Sequence, residues 1–375
     1  MKACIITYDE YINIPYVHKY EEILLKNKIT YDIILWNRSG QGIEISDGAE
    51  NNYLFSMQTN ASKLSKIIPF IKWRKDVKAI LRKDKYDLLI LCTTLPGVLI
   101  SDILVRDYTK RFILDIRDYT YENWSVYRRF AEKNIGAAGL VIISSKGFQR
   151  WLPTGYEYMI SHNISNSDYA IEEMQSSSGE KLWTIGFVGG IRYYEINKKL
   201  IMQMKNHENF KLLYVGKHHP GCDLLEYCMK NNVNNVEFSS RYNNSQKPEI
   251  YNQIDLINSI YGADNEETRT LLPHKLYDCV LYKKPIIVSK GTYLEDVVKK
   301  YRLGLAVDID DENVPQSIEE YIYGFNKNEF INGCRKYIVE ALNDEEMCTE
   351  KIEEYLKNLR IEGIGLNRRQ VTSCV

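Results

Sequence analysis

Short apolar runs rich in β-branched residues alternate with segments of helical period along almost the whole 375-residue chain, and this alternation leaves few folds open. A strand that returns parallel to its predecessor needs a long crossover, which a helix supplies, so repeated strand–helix units build a largely parallel sheet covered on both faces. In the first half the pattern predicts strands at 2–7, 31–36, 86–93, 111–116, 139–144 and 156–160. Helical period fills about 15–28, 67–83, 97–108, 124–135 and 146–152. Leu88-Leu89-Ile90-Leu91 is continuously apolar, as a strand buried on both faces must be. Polar, serine-rich text then intervenes at Ser165-Asn166-Ser167-Asp168 and Gln175-Ser176-Ser177-Ser178-Gly179. After it the alternation restarts, with strands expected at 183–188, 210–215, 236–239, 255–260, 285–289 and 305–308 and a helical tail over 317–359. The expectation is an α/β protein of two Rossmann-like, doubly wound domains: 1–165, a linker at 166–181, 182–335, then helices over 336–360 and a tail at 361–375.

Charge is balanced, 49 Lys and Arg against 50 Asp and Glu, so no overall field draws nucleic acid and an anionic partner must be met locally. The eight cysteines form no Cys-x-x-Cys pair and read as reduced residues of a cytoplasmic protein. No apolar stretch is long enough to span a membrane.

Leu272-Pro273-His274-Lys275-Leu276-Tyr277-Asp278 runs directly into Lys284-Pro285-Ile286-Ile287-Val288-Ser289, a proline-started helix before a buried strand. Unpaired N–H groups at the helix start and the Lys275 ammonium act on the same anion, and Asp278, one turn on, can accept hydrogen bonds from ribose hydroxyls. Taken alone, the pair also fits a plain amphipathic helix with solvated charges. Gly186-Phe187-Val188-Gly189-Gly190-Ile191-Arg192 is a strand-to-helix turn whose glycines let backbone approach a phosphate and whose Arg192 offers forked donors. Tyr214-Val215-Gly216-Lys217 ends the next strand in a similar turn. In the first half, Asp115, Arg117 and Asp118 mass at a strand's carboxyl end, where open α/β sheets bind ligands, with a surface ion network as the alternative. Tyr8 and Asp9 open the loop after the first strand, and His162 lies at the end of a later one, where it serves equally well as a structural histidine.

The Pro-x-Lys-Leu-Tyr-Asp helix followed by Lys-Lys-Pro-Ile-Ile-Val-Ser resembles the nucleotide-sugar site of GT-B glycosyltransferases of the family 4 type. The resemblance implies a donor cleft between the two domains. It implies that Gly189, Gly190, Arg192, Gly216, Pro273, His274, Lys275 and Leu276 surround the donor diphosphate and base, and that Asp278, in place of the usual glutamate, meets the ribose. Eight residues before Asp278 the family carries a glutamate facing the sugar; here Thr270 stands there, with Glu266 and Glu267 nearby as substitutes. Asp115-Ile116-Arg117-Asp118-Tyr119-Thr120-Tyr121-Glu122 resembles the Asp-x-Arg-Asp-x-x-x-Glu loop of bacterial surface-polysaccharide glycosyltransferases, which implies an acceptor side formed by Tyr8, Asp9, Asp115, Arg117, Asp118 and His162, with Asp118 facing the acceptor hydroxyl.

The same resemblance implies a retaining glycosyltransferase that moves a sugar from a nucleotide-diphosphate donor, a UDP-sugar by preference, to a lipid-linked or growing surface glycan. Asp118, Arg192 and Lys275 are the expected catalytic residues, with no cofactor and no metal. Asp308-Ile309-Asp310 has a metal-binding form, but it follows a late strand of the second half. A UDP-sugar 2-epimerase of the same architecture and a non-catalytic nucleotide- or sugar-binding module are the alternatives. Residues 63–85 carry nine Lys or Arg against two Asp, interleaved with apolar residues that include Trp73. Such a helix either lies on an anionic membrane at the inner face or packs its stripe on the sheet.

Overall fold

The computed structural model describes residues 1–37, 44–56, 67–162, 164, 182–218, 223–239, 242–310 and 313–372, except the side chains of 67 and 362–372. The expected linker at 166–181 lies outside these residues. Seven strands form one sheet: β1 (Lys2–Ile6), β2 (Thr30–Asn37), β3 (Asn51–Ser56), β4 (Leu88–Cys92), β5 (Phe112–Ile116), β6 (Leu140–Ile143) and β7 (Met159–Ile160). Six form another: β8 (Trp183–Val188), β9 (Phe210–Val215), β10 (Val236–Ser239), β11 (Leu256–Ser259), β12 (Ile286–Ser289) and β13 (Gly304–Val307). The spatial orders are β3-β2-β1-β4-β5-β6-β7 and β10-β9-β8-β11-β12-β13, and the paired strands run parallel throughout. Each sheet winds outward from its first strand and then reverses, so each has one switch point, between β1 and β4 and between β8 and β11. Beyond the carboxyl ends of the strands at such a point the flanking loops diverge and leave room for a ligand.

The differences from expectation have local causes. β3 escapes the sequence pattern because Asn51-Asn52-Tyr53-Leu54-Phe55-Ser56 is a half-exposed edge strand, supported by its ladder to β2 rather than by an apolar run. The helix expected over 97–108 starts earlier and divides at Ile100 into Thr94–Leu99 and Ser101–Asp107. The tail divides at Gly324 into Val314–Tyr323 and Lys327–Thr372.

The chain separates into two compact units, Met1–Asn163 with Asn343–Val375, and Ile164–Leu342. The helix Lys327–Thr372 serves both. Its Phe330, Cys334, Tyr337 and Ala341 belong to the apolar core of the second unit, and Cys348, Ile352 and Leu356 to that of the first, beside Ile5, Tyr20 and Ile33. Each such buried aliphatic side chain contributes about 1.5–3 kcal/mol, so the end of this helix is held by burial rather than by its own propensity.

Of the two places the sequence leaves open to Trp73, membrane surface and core, it takes the core: it is 1% exposed and stacks on Trp36 with ring centres 5.5 Å apart. Val77 and Leu81 share its buried face, whereas Ile68 and Ile71 of the same helix, Ile67–Asp84, are 75% and 62% exposed. Among the described residues no helix is long and apolar enough to cross a membrane.

Candidate functional site

The second sheet's switch point is built around glycines. Past the end of β8, Gly189 N–H donates to the Val215 carbonyl (2.9 Å) and Ile191 N–H to that of Lys217 (2.9 Å), so the pairing with the β9 side persists through the turn. Gly216, at φ +142°, lies against this turn so closely that a Cβ there would overlap the carbonyl oxygen of Gly189. Gly189 and Gly190 are different: no atom lies within 4 Å of where either would carry a Cβ. Among the described residues, the Gly190 N–H finds no acceptor. An open space bordered by a free N–H suits an anion. Gly216→Ala should therefore cost about 2–3 kcal/mol from the left-handed backbone and the overlap, whereas Gly190→Ala should keep the fold and weaken pyrophosphate binding. Thermal unfolding with and without pyrophosphate checks the pair; equal melting temperatures for the two variants would refute the distinction.

Lys275 lies on the first turn of the helix His274–Tyr282, capped by Pro273 at φ −77° and ψ 157°. The proline is the cap rather than the first helical residue, because its extended ψ leaves it just outside the helix. The Lys275 side chain is buried, its residue only 5% exposed. Its Nζ lies 2.9 Å from Tyr261 Oη, just past β11, and 3.3 Å from the centre of the Phe187 ring in β8. Among the described residues no carboxylate pairs with it. A buried ammonium without a counter-ion is costly, and an anion entering beside it removes that cost.

Arg192 and Lys217, exposed at the ends of the β8 and β9 turns, also lack a carboxylate partner among the described residues. Lys198 and Lys199, by contrast, pair with Glu195 (2.9 Å) and Asp310. Of these four cations, then, the two at the strand ends are the ones left for an anionic ligand.

Asp278, expected at the ribose, is engaged by neighbouring side chains. Its Oδ1 lies 3.0 Å from Lys247 Nζ, and its Oδ2 accepts from Tyr251 Oη at 2.7 Å, in a site only 7% exposed. Lys247 and Tyr251 supply its partners, so Asp278 does not neutralise Lys275 on the same helix. Leu276 and Thr270, expected at the donor, are both 0% exposed. Leu276 packs in the core, and Thr270 Oγ1 donates to the Glu266 carbonyl at 2.6 Å, so neither side chain reaches a ligand. Glu266 contacts Arg269 at 3.3 Å within the short helix Glu266–Thr270, which also carries Glu267; His274 is exposed at the start of the next.

In the first unit, Asp115 and Arg117 correct an expectation. Asp115 is 0% exposed and Arg117 6%. Arg117 Nη2 donates to Asp115 Oδ2 at 2.8 Å, Tyr20 Oη donates to the same oxygen at 2.7 Å, and Arg117 also reaches the Ser161 carbonyl at 3.0 Å. This closed network fixes the loop and cannot meet an acceptor, because both charges are already spent on each other. Asp118, the next residue, is exposed. Tyr8 packs edge-on against Trp36 with ring centres 5.1 Å apart, and Asp9 Oδ1 accepts from Glu10 N–H (2.8 Å) and Asn13 Nδ2 (3.0 Å), shaping the loop after β1.

His162 is buried, with Nε2 3.2 Å from Asp344 of the last helix. Burial acts to raise the Asp344 carboxyl, but hydrogen bonds from His162 and Lys146 outweigh it and hold it below the usual carboxylate range. His162 thus serves as a tie within the unit.

Two features here went unassigned from sequence. Glu122, 3% exposed, accepts from Thr94 Oγ1 at 2.6 Å, and burial pushes its carboxyl above the ordinary value despite that hydrogen bond. Thr93, beyond β4 at the switch point, holds φ +70° and ψ 167°, a conformation that costs a β-branched residue about 1–3 kcal/mol. Among the described residues no three His, Cys, Asp or Glu side chains gather as a metal ion would require.

The sequence matches no family model and no curated protein sequence. The fold does match solved structures over its full length. A sucrose-phosphate synthase from Thermosynechococcus elongatus aligns over 100% of both chains with TM-score 0.68 and 14% identity. HepE from Anabaena in complex with UDP and glucose aligns over 93% of this chain and 98% of its own, with TM-score 0.63 and 14% identity. The lipopolysaccharide outer core galactosyltransferase WaaB aligns over 97% and 100%, with TM-score 0.63 and 10% identity. Two parallel sheets of seven and six strands in this arrangement make the fold GT-B, with two Rossmann-like domains.

Proposed function

We propose that this protein is a glycosyltransferase that moves a sugar from a nucleoside-diphosphate donor to a hydroxyl of a glycan or lipid-linked acceptor. The observation that carries the reading is Lys275: a buried ammonium with no carboxylate partner among the described residues, joined to the end of β8 by its contact with Phe187. As the glycosidic bond to the diphosphate breaks, negative charge grows on the leaving phosphate. Lys275, Arg192 and the Gly190 N–H are groups suited to stabilise it, and fixed donors in a water-poor site are worth more than the same groups in water. Electrostatic support of this kind does the work that a divalent ion does elsewhere, so the reaction is expected to survive chelator.

UDP is the nucleotide of first choice, since the similar HepE structures hold UDP or UDP-glucose. The finer reading is a retaining transfer onto a bacterial surface glycan, with exposed Asp118 on the acceptor side. Ile68, Ile71, Lys72 and Lys75 on the exposed side of the helix Ile67–Asp84 would rest on an anionic inner leaflet.

Calorimetric titration with UDP, GDP and ADP, followed by turnover of the matching sugar nucleotides with and without acceptor glycans, tests the proposal. The expected result is nucleotide release that depends on acceptor. Sugar inversion without acceptor would identify an epimerase, and binding without turnover a module. For the membrane contact, co-sedimentation with anionic vesicles that persists in an Ile68→Ser/Ile71→Ser variant would refute the proposed face.

A further inference from the structure

The Lys275 ammonium is held in place without being neutralised. Tyr261 Oη accepts from Nζ at 2.9 Å, the Phe187 ring centre lies 3.3 Å away, and the Tyr261 ring centre 5.0 Å away. Both aromatic residues are themselves fixed. The backbone N–H groups of Tyr261 and Gly262 donate to Ser289 Oγ at 3.1 and 2.8 Å, and the Tyr193 ring stacks on that of Tyr261 with centres 4.8 Å apart. Ser289 is the serine closing the Lys-Pro-Ile-Ile-Val-Ser strand, and its carbonyl accepts from Thr292 Oγ1 at 2.8 Å. Phe187 is 1% exposed and stacks on Tyr214 at 5.7 Å.

A carboxylate in place of Tyr261 would grip the lysine harder, but it would cancel the charge. An aromatic face and a neutral phenol oxygen orient the ammonium, offset part of its desolvation and leave donor capacity for an incoming anion. We infer that Phe187 and Tyr261 are positioning residues that keep the charge of Lys275 unneutralised for the donor diphosphate, an inference that rests on the nucleotide-donor reading above.

Calorimetric titration of the full-length protein with uridine and with UDP isolates the diphosphate's share of binding as the ratio of the two Kd values. Tyr261→Phe keeps the stacked ring and removes only the acceptor. It should lower that ratio about tenfold and leave the uridine Kd unchanged. Phe187→Leu keeps an apolar side chain and removes the ring face, with a further expected loss of about tenfold. Because Phe187 is a core residue, Tyr261→Phe decides the matter if Phe187→Leu fails to fold. In a Lys275→Met background, Tyr261→Phe should have no further effect on the ratio, since it acts through the lysine. A ratio unchanged by Tyr261→Phe in a protein where Lys275→Met does lower it would overturn the inference alone. Parallel weakening of uridine and UDP would also overturn it, by showing a structural role. If wild type binds neither ligand, or Lys275→Met leaves the ratio intact, the donor reading falls and this inference with it.

Discussion

Lys275→Met should lower kcat/KM by about 10²–10³-fold while leaving the melting temperature unchanged or higher. The two signs come from one cause. At 5% exposure the ammonium is largely stripped of water, and it rests on the Phe187 ring and the Tyr261 phenol, neither of which carries a negative charge. The folded protein bears that desolvation cost until an anion arrives, so a neutral side chain of similar length relieves it. Methionine fills the same apolar path over Phe187, so packing is preserved and only the charge is lost. Turnover of the preferred sugar nucleotide and a thermal melt without ligand, run on the same preparation, check both signs. A variant that unfolds more easily and retains its turnover would show Lys275 to be a structural lysine.

The largest effect on stability is expected in the other unit. Asp115→Ala should destabilise it by about 3–5 kcal/mol, enough to lower the melting temperature on the order of 10 °C, because it removes the carboxylate that faces the buried Arg117 guanidinium. Arg117 is 6% exposed, and it also touches the neutral Ser161 carbonyl and Tyr16 ring face. Replacing both partners, Asp115→Leu with Arg117→Met, should recover most of the loss, since two apolar side chains of similar bulk carry no charge to desolvate. Denaturant titration of the single and double variants makes the comparison. A single variant as stable as wild type would mean that the pair is hydrated rather than buried.

These two sites also mark how far the sequence could be read. The strand–helix alternation carries the fold because a doubly wound sheet is assembled from local periodicities, and nearly every strand core appears within a residue or two of its expected place. β3 is the exception, since an edge strand has one ladder and little apolar demand. Asp115 carried a signal that the charge-cluster reading passed over. A lone carboxylate inside Phe112-Ile113-Leu114-Asp115-Ile116 sits in a strand covered on both faces and has to find a cation, and Arg117, two residues on, shares its face. Trp73 and Leu276 are similar cases, in which apolar side chains at helical spacing belong to the core. Tyr261, in contrast, has no local mark, being an aromatic residue in a loop after an ordinary strand.

The order of strands, the glycine turn after β8 and the lysine on the helix before β12 are properties of short stretches of chain, fixed by backbone sterics, side-chain period and helix-end chemistry. Which charge faces which is not. Asp278 stands three residues from Lys275 yet pairs with Lys247 at 3.0 Å, while Lys275 reaches back to Tyr261 at 2.9 Å. Coulomb and hydrogen-bond energies depend on distance through space and on the water excluded between the groups. Both quantities came into being only when β8, β11 and the helix His274–Tyr282 were packed together.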